Sequence, residues 1–255
     1  MRFASLGSGS RGNALLVEAG ATRLLLDCGF GPRETLFKLG RLGLSPDDLS
    51  GILITHEHSD HIAGAFKLAT RHRLAVWMTH GTFAAAPQGR SAIPRVELID
   101  SHQAFQVGDL EIHPFPVPHD AREPVQFVFS DGQLRLGVVT DLGSSTPHVE
   151  RMLTGCDALV LECNHDEGML QRGDYPPHLK RRIAGRFGHL DNAASAALLA
   201  ALDTRKLQHL IAAHLSQQNN TPDLARTALA GVLGCAEMWV GVAEQDEGFD
   251  WRALL

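Results

Sequence analysis

No stretch of this 255-residue sequence is apolar for long enough to span a membrane. The N-terminal Met1-Arg2-Phe3-Ala4-Ser5 runs straight into glycine and serine, without the apolar core of a signal peptide. These two features predict a cytoplasmic protein with no membrane partner. Cysteine is scarce: Cys28, Cys156, Cys163 and Cys235 are the four, and none sits in a C-x-x-C pair. Without an export signal they read as buried, reduced thiols. Positive charge is short as well. Lys and Arg number 23 against 29 Asp and Glu, a formal net charge of −6, which excludes a globally basic nucleic-acid coat but not a local basic path to a site. One Tyr and three Trp do not suggest extensive base stacking of the single-strand-binding kind. No repeat, linker or low-complexity tract divides the chain, so one domain over residues 1–255 is expected.

Histidine is what the sequence has in excess. The fourteen present are roughly twice the usual share. They concentrate at Thr55-His56-Glu57-His58-Ser59-Asp60-His61, in the pattern H-x-H-x-D-H. This follows the short apolar run Gly51-Ile52-Leu53-Ile54 and precedes a helix expected over 62–72. Alternate side chains of an extended segment point the same way, so His56, His58 and Asp60 are expected on one side of a strand-end loop, with His61 turned to a neighbouring point. Imidazole suits zinc, iron and manganese, and carboxylate adds preference for harder cations. A surface histidine cluster at a helix start is the plainer alternative.

Apolar runs of strand length recur along the chain, near 3–7, 13–18, 22–27, 51–54, 74–78, 96–99, 111–116, 125–130, 134–139, 158–161, 207–213 and 238–242. Helices are expected over 32–42, 145–153, 193–202 and 221–233, with a short helix and loop over 81–95. Strands come early and βα alternation follows in both halves, so the class is mixed α and β. The loop Gly7-Ser8-Gly9-Ser10-Arg11-Gly12-Asn13 reads as a hairpin turn, with a phosphate cradle as the sharper alternative.

Several strands end in a metal-capable side chain. The strand at 111–116 delivers His119, that at 134–139 delivers Asp141, that at 158–161 delivers Asn164 and His165, and that at 207–213 delivers His214. Sites in α/β sheets form at such strand ends. The assignment that follows puts His56, His58 and His119 on one cation and Asp60, His61 and His214 on a second, with Asp141 bridging. Two divalent metal ions, zinc or manganese, are therefore the expected cofactors. Asp27 is expected to orient a ligand loop.

On these residues the chain resembles the metallo-β-lactamase superfamily, through Asp27, His56-x-His58-x-Asp60-His61, His119, Asp141 and His214. Within it the sequence is similar to the YycJ/VicX-type (WalJ-like) bacterial exonucleases. The matching stretches include Leu26-Asp27-Cys28-Gly29, Glu162-Cys163-Asn164-His165-Asp166, Gly188-His189-Leu190 and Ala213-His214-Leu215-Ser216. Asp191 departs from the Ser expected after Gly-His-Leu. The resemblance implies an α+β fold, a four-layer αββα sandwich with a dinuclear site at the sheet edge. It also implies a 5′-to-3′ DNA exonuclease with nucleic acid as partner, DNA ahead of RNA.

Phosphodiester hydrolysis would use a hydroxide shared by two metals, with Asp60 orienting it and His165 and His189 as candidate proton donors or phosphate contacts. Asn164, Arg11 and Arg122 are further candidate phosphate contacts, and Lys180, Arg181, Arg182 and Arg186 could track a nucleic-acid backbone or equally be a solvated helix face. The alternatives are a small-molecule phosphodiesterase, a glyoxalase-like thioester hydrolase, and a non-catalytic metal-binding module.

Overall fold

The computed structural model describes residues 1–86 and 95–255. Among these, fourteen strands form two seven-stranded sheets. The first sheet has the order β14-β1-β2-β3-β4-β5-β6, and comprises β1 (Arg2–Gly7), β2 (Ala14–Ala19), β3 (Thr22–Leu26), β4 (Gly51–Leu53), β5 (Ala75–Thr79), β6 (Arg95–Ile99) and β14 (Phe249–Ala253). The second has the order β13-β12-β11-β10-β9-β8-β7, and comprises β7 (Phe105–Val107), β8 (Leu110–Pro116), β9 (Val125–Ser130), β10 (Arg135–Val139), β11 (Ala158–Glu162), β12 (His209–Ala213) and β13 (Gly241–Val242).

The apolar runs are continuous because both faces of each sheet are covered. Leu24 and Leu26 of β3 point inward, where they join Phe3, Leu15, Val17, Leu53 and Trp77 against Phe127, Phe129, Leu136, Val138, Val160 and Ile211 of the second sheet. Leu25, between them in sequence, points outward. It packs with Leu16, Ile52, Ile54 and Val76 under α1 (Pro32–Arg41, through Leu39) and α3 (Ala65–His72, through Phe66, Leu68 and Ala69). The outer face of the second sheet, including Val128, Val139, Leu159, Leu161 and Leu210, is covered by α5 (Pro147–Leu153), α8 (Asn192–Ala200) and α9 (Pro222–Leu233). The layers are therefore α, β, β, α, as the resemblance implied. No helix of the described residues is long and apolar enough to cross a membrane.

Local chemistry sets the element ends. Asp191 accepts a hydrogen bond from the Ala194 N–H at 2.7 Å and caps α8, and Thr221 caps α9 ahead of Pro222. Asp131 Oδ1 accepts from the N–H groups of Gln133 and Leu134 in the β9–β10 hairpin, with Gly132 at φ 92°.

Four expectations shift. The helix placed over 62–72 is two pieces, α2 (Ser59–Ile62) and α3, so Asp60 and His61 lie on a helical turn rather than an extended segment. The strand placed at 238–242 shortens to 241–242, because Glu237–Trp239 forms a 3-10 turn. The edge strands β7 and β14 have no counterpart among the expected ones. Of the helix and loop expected over 81–95, the helix is α4 (His80–Ala85), and residues 87–94 lie outside the described residues.

The parallel strands β3-β4-β5-β6 and β10-β11-β12-β13 present their C-terminal ends along one edge of the sandwich. The chain is tightly woven there. The Cys28 N–H donates to the His61 carbonyl at 2.7 Å, the Asn13 N–H to the Asp60 carbonyl at 2.8 Å, and the Gly64 N–H to the Cys28 carbonyl at 2.8 Å. Gly29 allows this approach: a Cβ there would stand 1.8 Å from the Asp60 carbonyl oxygen, which is backbone. Gly29→Ala is expected to destabilise the protein by about 1–3 kcal/mol, as overpacked positions do, and to weaken metal uptake by displacing Asp60. Urea unfolding and a metal titration of the variant check both; unchanged values would show that the ligand loop is not held by this contact.

Candidate active site

The site begins where β4 ends. Thr55 donates its N–H to Asp27 Oδ1 at 2.9 Å, which draws the strand end toward the end of β3. The backbone stays extended through His58 (φ −62°, ψ 146°) and turns helical at Ser59. That switch separates His56 and His58 from Asp60 and His61. Loops after β8, β10, β11 and β12 then bring His119, Asp141, Asn164 and His214 alongside.

The donor atoms of His56, His58 and His119 lie within 4.8 Å of one another, and so do those of Asp60, His61 and His214. His56, His61 and Asp141 form a third such group, which joins the first two. The rings of the first triad are mutually 4.5, 4.9 and 5.0 Å apart by centroid, close to an equilateral triangle.

Hydrogen bonds on the far side of each ring decide which nitrogen faces inward. His119 Nδ1 lies 3.0 Å from the Gly188 carbonyl, which can only accept, so Nδ1 carries the proton and Nε2 a lone pair. His58 Nε2 faces the Asp120 carbonyl at 3.2 Å, which leaves the lone pair on Nδ1. These two lone-pair nitrogens stand 3.3 Å apart, a separation that a shared cation, metal ion or proton, satisfies. His56 Nδ1 is bonded to Thr55 Oγ1 at 2.9 Å, and its buried Nε2 has no hydrogen-bond partner among the described residues. Asp141 Oδ2 is also buried without a hydrogen bond, although His61 Nε2 lies 3.2 Å away. The two share a short distance but not a hydrogen-bond direction, as ligands of a common ion do. An edge of about 3.3 Å is what a tetrahedron with metal–nitrogen bonds of about 2.0–2.1 Å requires. The residues present therefore fit divalent cations.

Carboxylates hold the outer side of the second triad. Asp27 Oδ2 lies 2.8 Å from His61 Nδ1, and Glu162 Oε1 lies 3.2 Å from His214 Nδ1 and 2.7 Å from His189 Nδ1. This arrangement fixes tautomer and orientation in metal sites. Glu162 is fully buried and also accepts from the N–H groups of Leu142 and Leu190. Its role was not legible in the sequence, where Asn164 and His165 stand at the expected ligand positions just beyond the strand; the signal was a carboxylate closing an apolar strand beside two candidate ligands. Asp27 at φ 60° and His214 at φ 56° both adopt the left-handed conformation, a strain of about 1–2 kcal/mol each for a side-chain-bearing residue.

The electrostatics follow from burial. It pushes His56 well below the ordinary imidazole value, further lowered by the His61 charge, and it lowers His119. Burial also opposes charge on His61 and His214, but Asp141 and the other carboxylates outweigh it, raising His61 strongly and His214 to about 10. Asp60 and Asp141 resist burial and are held far below the usual carboxylate range, Asp60 chiefly by His61 and Asp141 by His214 and His61. The sign for stability follows. A raised histidine stabilises the folded state most below its unfolded value near 6.5, and that contribution is lost as pH climbs through about 10. Metal-stripped protein is therefore expected to lose stability between pH 6.5 and 10, and metal-loaded protein much less, because metal replaces the proton. Thermal unfolding across that range, with and without chelator, checks it.

The other expected site residues separate. His189 and Asn164 line a cleft of about 330 Å3 over the cluster, together with Ser10, Ser59, Tyr175, Arg182, Ile183 and Ser216. His165 does not line it. Its ring is buried beside Asn164 Oδ1 at 3.3 Å, and its carbonyl accepts from the Asn192 N–H. Arg11 pairs with Asp246 at 2.8 Å, Lys180 Nζ donates to the Gln171 carbonyl, and Arg181 is exposed outside the cleft lining. The Gly/Ser loop is the β1–β2 hairpin. Asn13 Oδ1 accepts from the Gly9 N–H at 2.8 Å, and Ser8 Oγ accepts from the His214 N–H at 2.9 Å, so this loop braces a candidate ligand.

The geometry has counterparts among known proteins. Residues 22–214 match the model of the β-lactamase superfamily domain. The chain belongs to that family. It is 38% identical over 258 residues to exodeoxyribonuclease YycJ of Bacillus anthracis, covering 98% of this chain and 95% of that protein. It is 30% identical over 245 residues to exodeoxyribonuclease WalJ of Streptococcus pneumoniae serotype 2, covering 94% and 91%. Zinc-bound PqqB from Methylobacterium extorquens shares the fold, with a TM-score of 0.75 at 20% identity over the whole of both chains. The metallo-β-lactamase sandwich expected from the motifs is thus the fold of this member.

Proposed function

We propose that this chain is a metal-dependent exodeoxyribonuclease that removes nucleotides from DNA 5′ ends and works with two divalent cations, zinc or manganese. The observation that carries the reading is the pair of facing lone-pair nitrogens, His58 Nδ1 and His119 Nε2, joined through Asp141 to the Asp60, His61 and His214 group. Similarity to two exodeoxyribonucleases over nearly the whole chain supports the choice of substrate. In this reading His56, His58 and His119 hold one cation, Asp60, His61 and His214 the other, and Asp141 lies between. Cations bound there would supply Lewis-acid charge and lower the pKa of a bound water.

The chain's own residues do the remaining work. Asp60, anchored through its carbonyl to Asn13 and facing His214, presents an ionised carboxylate that can orient the attacking water by accepting its hydrogen bond. His189 lines the cleft with Nδ1 tied to Glu162, which supports it over the buried His165 as the donor of a proton to the departing 3′ oxygen. Asp60 is held on the helical turn that follows β4, and His189 is held through Glu162 at the end of β11.

A cleft of about 330 Å3 is near the lower limit for small-molecule sites, which keeps a small phosphodiester as the second reading. The test is a time course on 5′-phosphorylated, 3′-labelled duplex DNA with manganese or zinc, beside matched RNA and a small diester, with His61→Ala as the contamination control. Metal-dependent shortening from the 5′ end that is absent in the variant supports the exonuclease reading. Turnover of the small diester alone would replace it with the second.

A further inference from the structure

Among the described residues lining the cleft, Arg182 carries the single guanidinium or ammonium charge. It sits on α7 (Pro177–Ile183), at the rim of the cleft. Its Nε donates to Asp120 Oδ2 at 2.5 Å, and no Nη hydrogen bond to a described residue accompanies that one. The side chain remains 59% exposed. Asp120 in turn reaches the cluster: its Oδ1 lies 3.6 Å from His119 Nε2 and 3.8 Å from His58 Nε2. The guanidinium therefore stands one carboxylate's width from the candidate ligands, anchored at one atom, with both Nη groups free. The rest of the polar lining is Ser10, Ser59, Asn164, Tyr175 and Ser216, beside the imidazoles of His58, His189 and His214 and the carboxylates Asp60 and Asp141.

We propose that Arg182 is the residue that reads a polynucleotide in this cleft, binding the phosphate next to the scissile one while Asp120 keeps its guanidinium at the rim until the strand arrives. This rests on the nuclease reading above and names the group that separates a polymer from a small diester. In the nuclease reading the scissile phosphate lies at the ligand cluster. Arg182 is displaced from that point by the Asp120 carboxylate, so what it meets is a second anion on the same strand. Planar, bidentate donors suit a phosphate better than an ammonium does. An exposed Arg–Asp pair is held weakly enough to exchange its partner. Of the basic residues the sequence offered for phosphate contact, Arg11, Arg122, Lys180, Arg181 and Arg186 lie outside the cleft lining, Arg11 and Lys180 are bonded elsewhere, and Arg182 lines it.

The test compares metal-loaded wild type, Arg182→Gln and Arg182→Lys on a DNA oligonucleotide and on bis(p-nitrophenyl) phosphate, which has no second phosphate. In Arg182→Gln the ratio of kcat/KM values, oligonucleotide over small diester, is expected to fall about tenfold or more, mostly through KM, as loss of one charge-assisted contact does. The slope of log KM against log salt is expected to shrink by about 0.7–0.9, the value of one phosphate contact. Arg182→Lys should restore the salt slope and part of KM. If Arg182→Gln lowers both substrates equally through kcat, or leaves the ratio and slope unchanged, the assignment is overturned while the nuclease reading stands. If the wild type cleaves the small diester and no oligonucleotide, the nuclease reading fails and this one with it.

Discussion

Replacing Asp141 by Ala or Asn is expected to abolish hydrolysis, with kcat/KM down about 10³-fold or more. Asp141 lies between the two triads, with Oδ2 3.2 Å from His61 Nε2 and Oδ1 3.8 Å from His119 Nε2. It is buried, and its Oδ2 has no hydrogen bond among the described residues, so internal hydrogen bonding does not account for a charge buried there. If that charge joins two cations, its loss separates them. Lewis-acid stabilisation by a metal is worth several kcal/mol, and each 1.36 kcal/mol is tenfold in rate. The Asn variant keeps the shape and removes the charge, so it distinguishes bridging from packing. Steady-state kinetics with elemental analysis of the purified variants check it. Near-normal rates in Asp141→Asn would remove Asp141 from the centre of the account.

The second large effect is expected at Glu162. One fully buried carboxylate accepts from His189, His214 and the N–H groups of Leu142 and Leu190. Burial raises its carboxyl, but the His189 charge and the bonds from His189 and His214 bring it below the ordinary value. Glu162→Ala leaves two buried N–H groups and two imidazoles without their acceptor. A loss of about 3–5 kcal/mol in stability is expected, as for breaking a buried charged pair. Glu162→Gln keeps the volume and one acceptor oxygen. It should fold, yet lose about 10–100-fold in metal affinity or activity through looser positioning of His214 and His189. Urea unfolding of the Ala variant and a metal titration of the Gln variant separate the two effects. A stable Ala variant with unchanged metal binding would make Glu162 a bystander.

How much of this was legible in the sequence depended on whether the signal was local. The ligand loop, the strands ahead of it and the strand-end positions of His119, Asp141 and His214 are read from short apolar runs and single residues just after them. The layer order came from the family resemblance, and the core supports it: Leu24, Leu25 and Leu26 all need cover, which a sheet buried on both faces provides. What depends on distant partners was not readable. β14 pairs with β1 at the other end of the chain, and its Phe249-Asp250-Trp251 has no long apolar run to announce it. The extended path assumed from His56 to Asp60 breaks at Ser59, where a helical turn wins. His165 and His189 looked equivalent in sequence, yet one is buried beside Asn164 and the other stands in the cleft on Glu162. Lys180, Arg181 and Arg182 are consecutive, and only the helix phase of α7 decides that Arg182 faces the cleft.

The central claim is that one chain gathers two cations at the sheet edge. Native mass spectrometry of the protein titrated with zinc or manganese tests it most directly, with His119→Ala and His214→Ala alongside. The account predicts two ions per wild-type chain at saturation, with each variant weakened at one of them. A wild-type chain that saturates at one ion or none while still cutting DNA would contradict it.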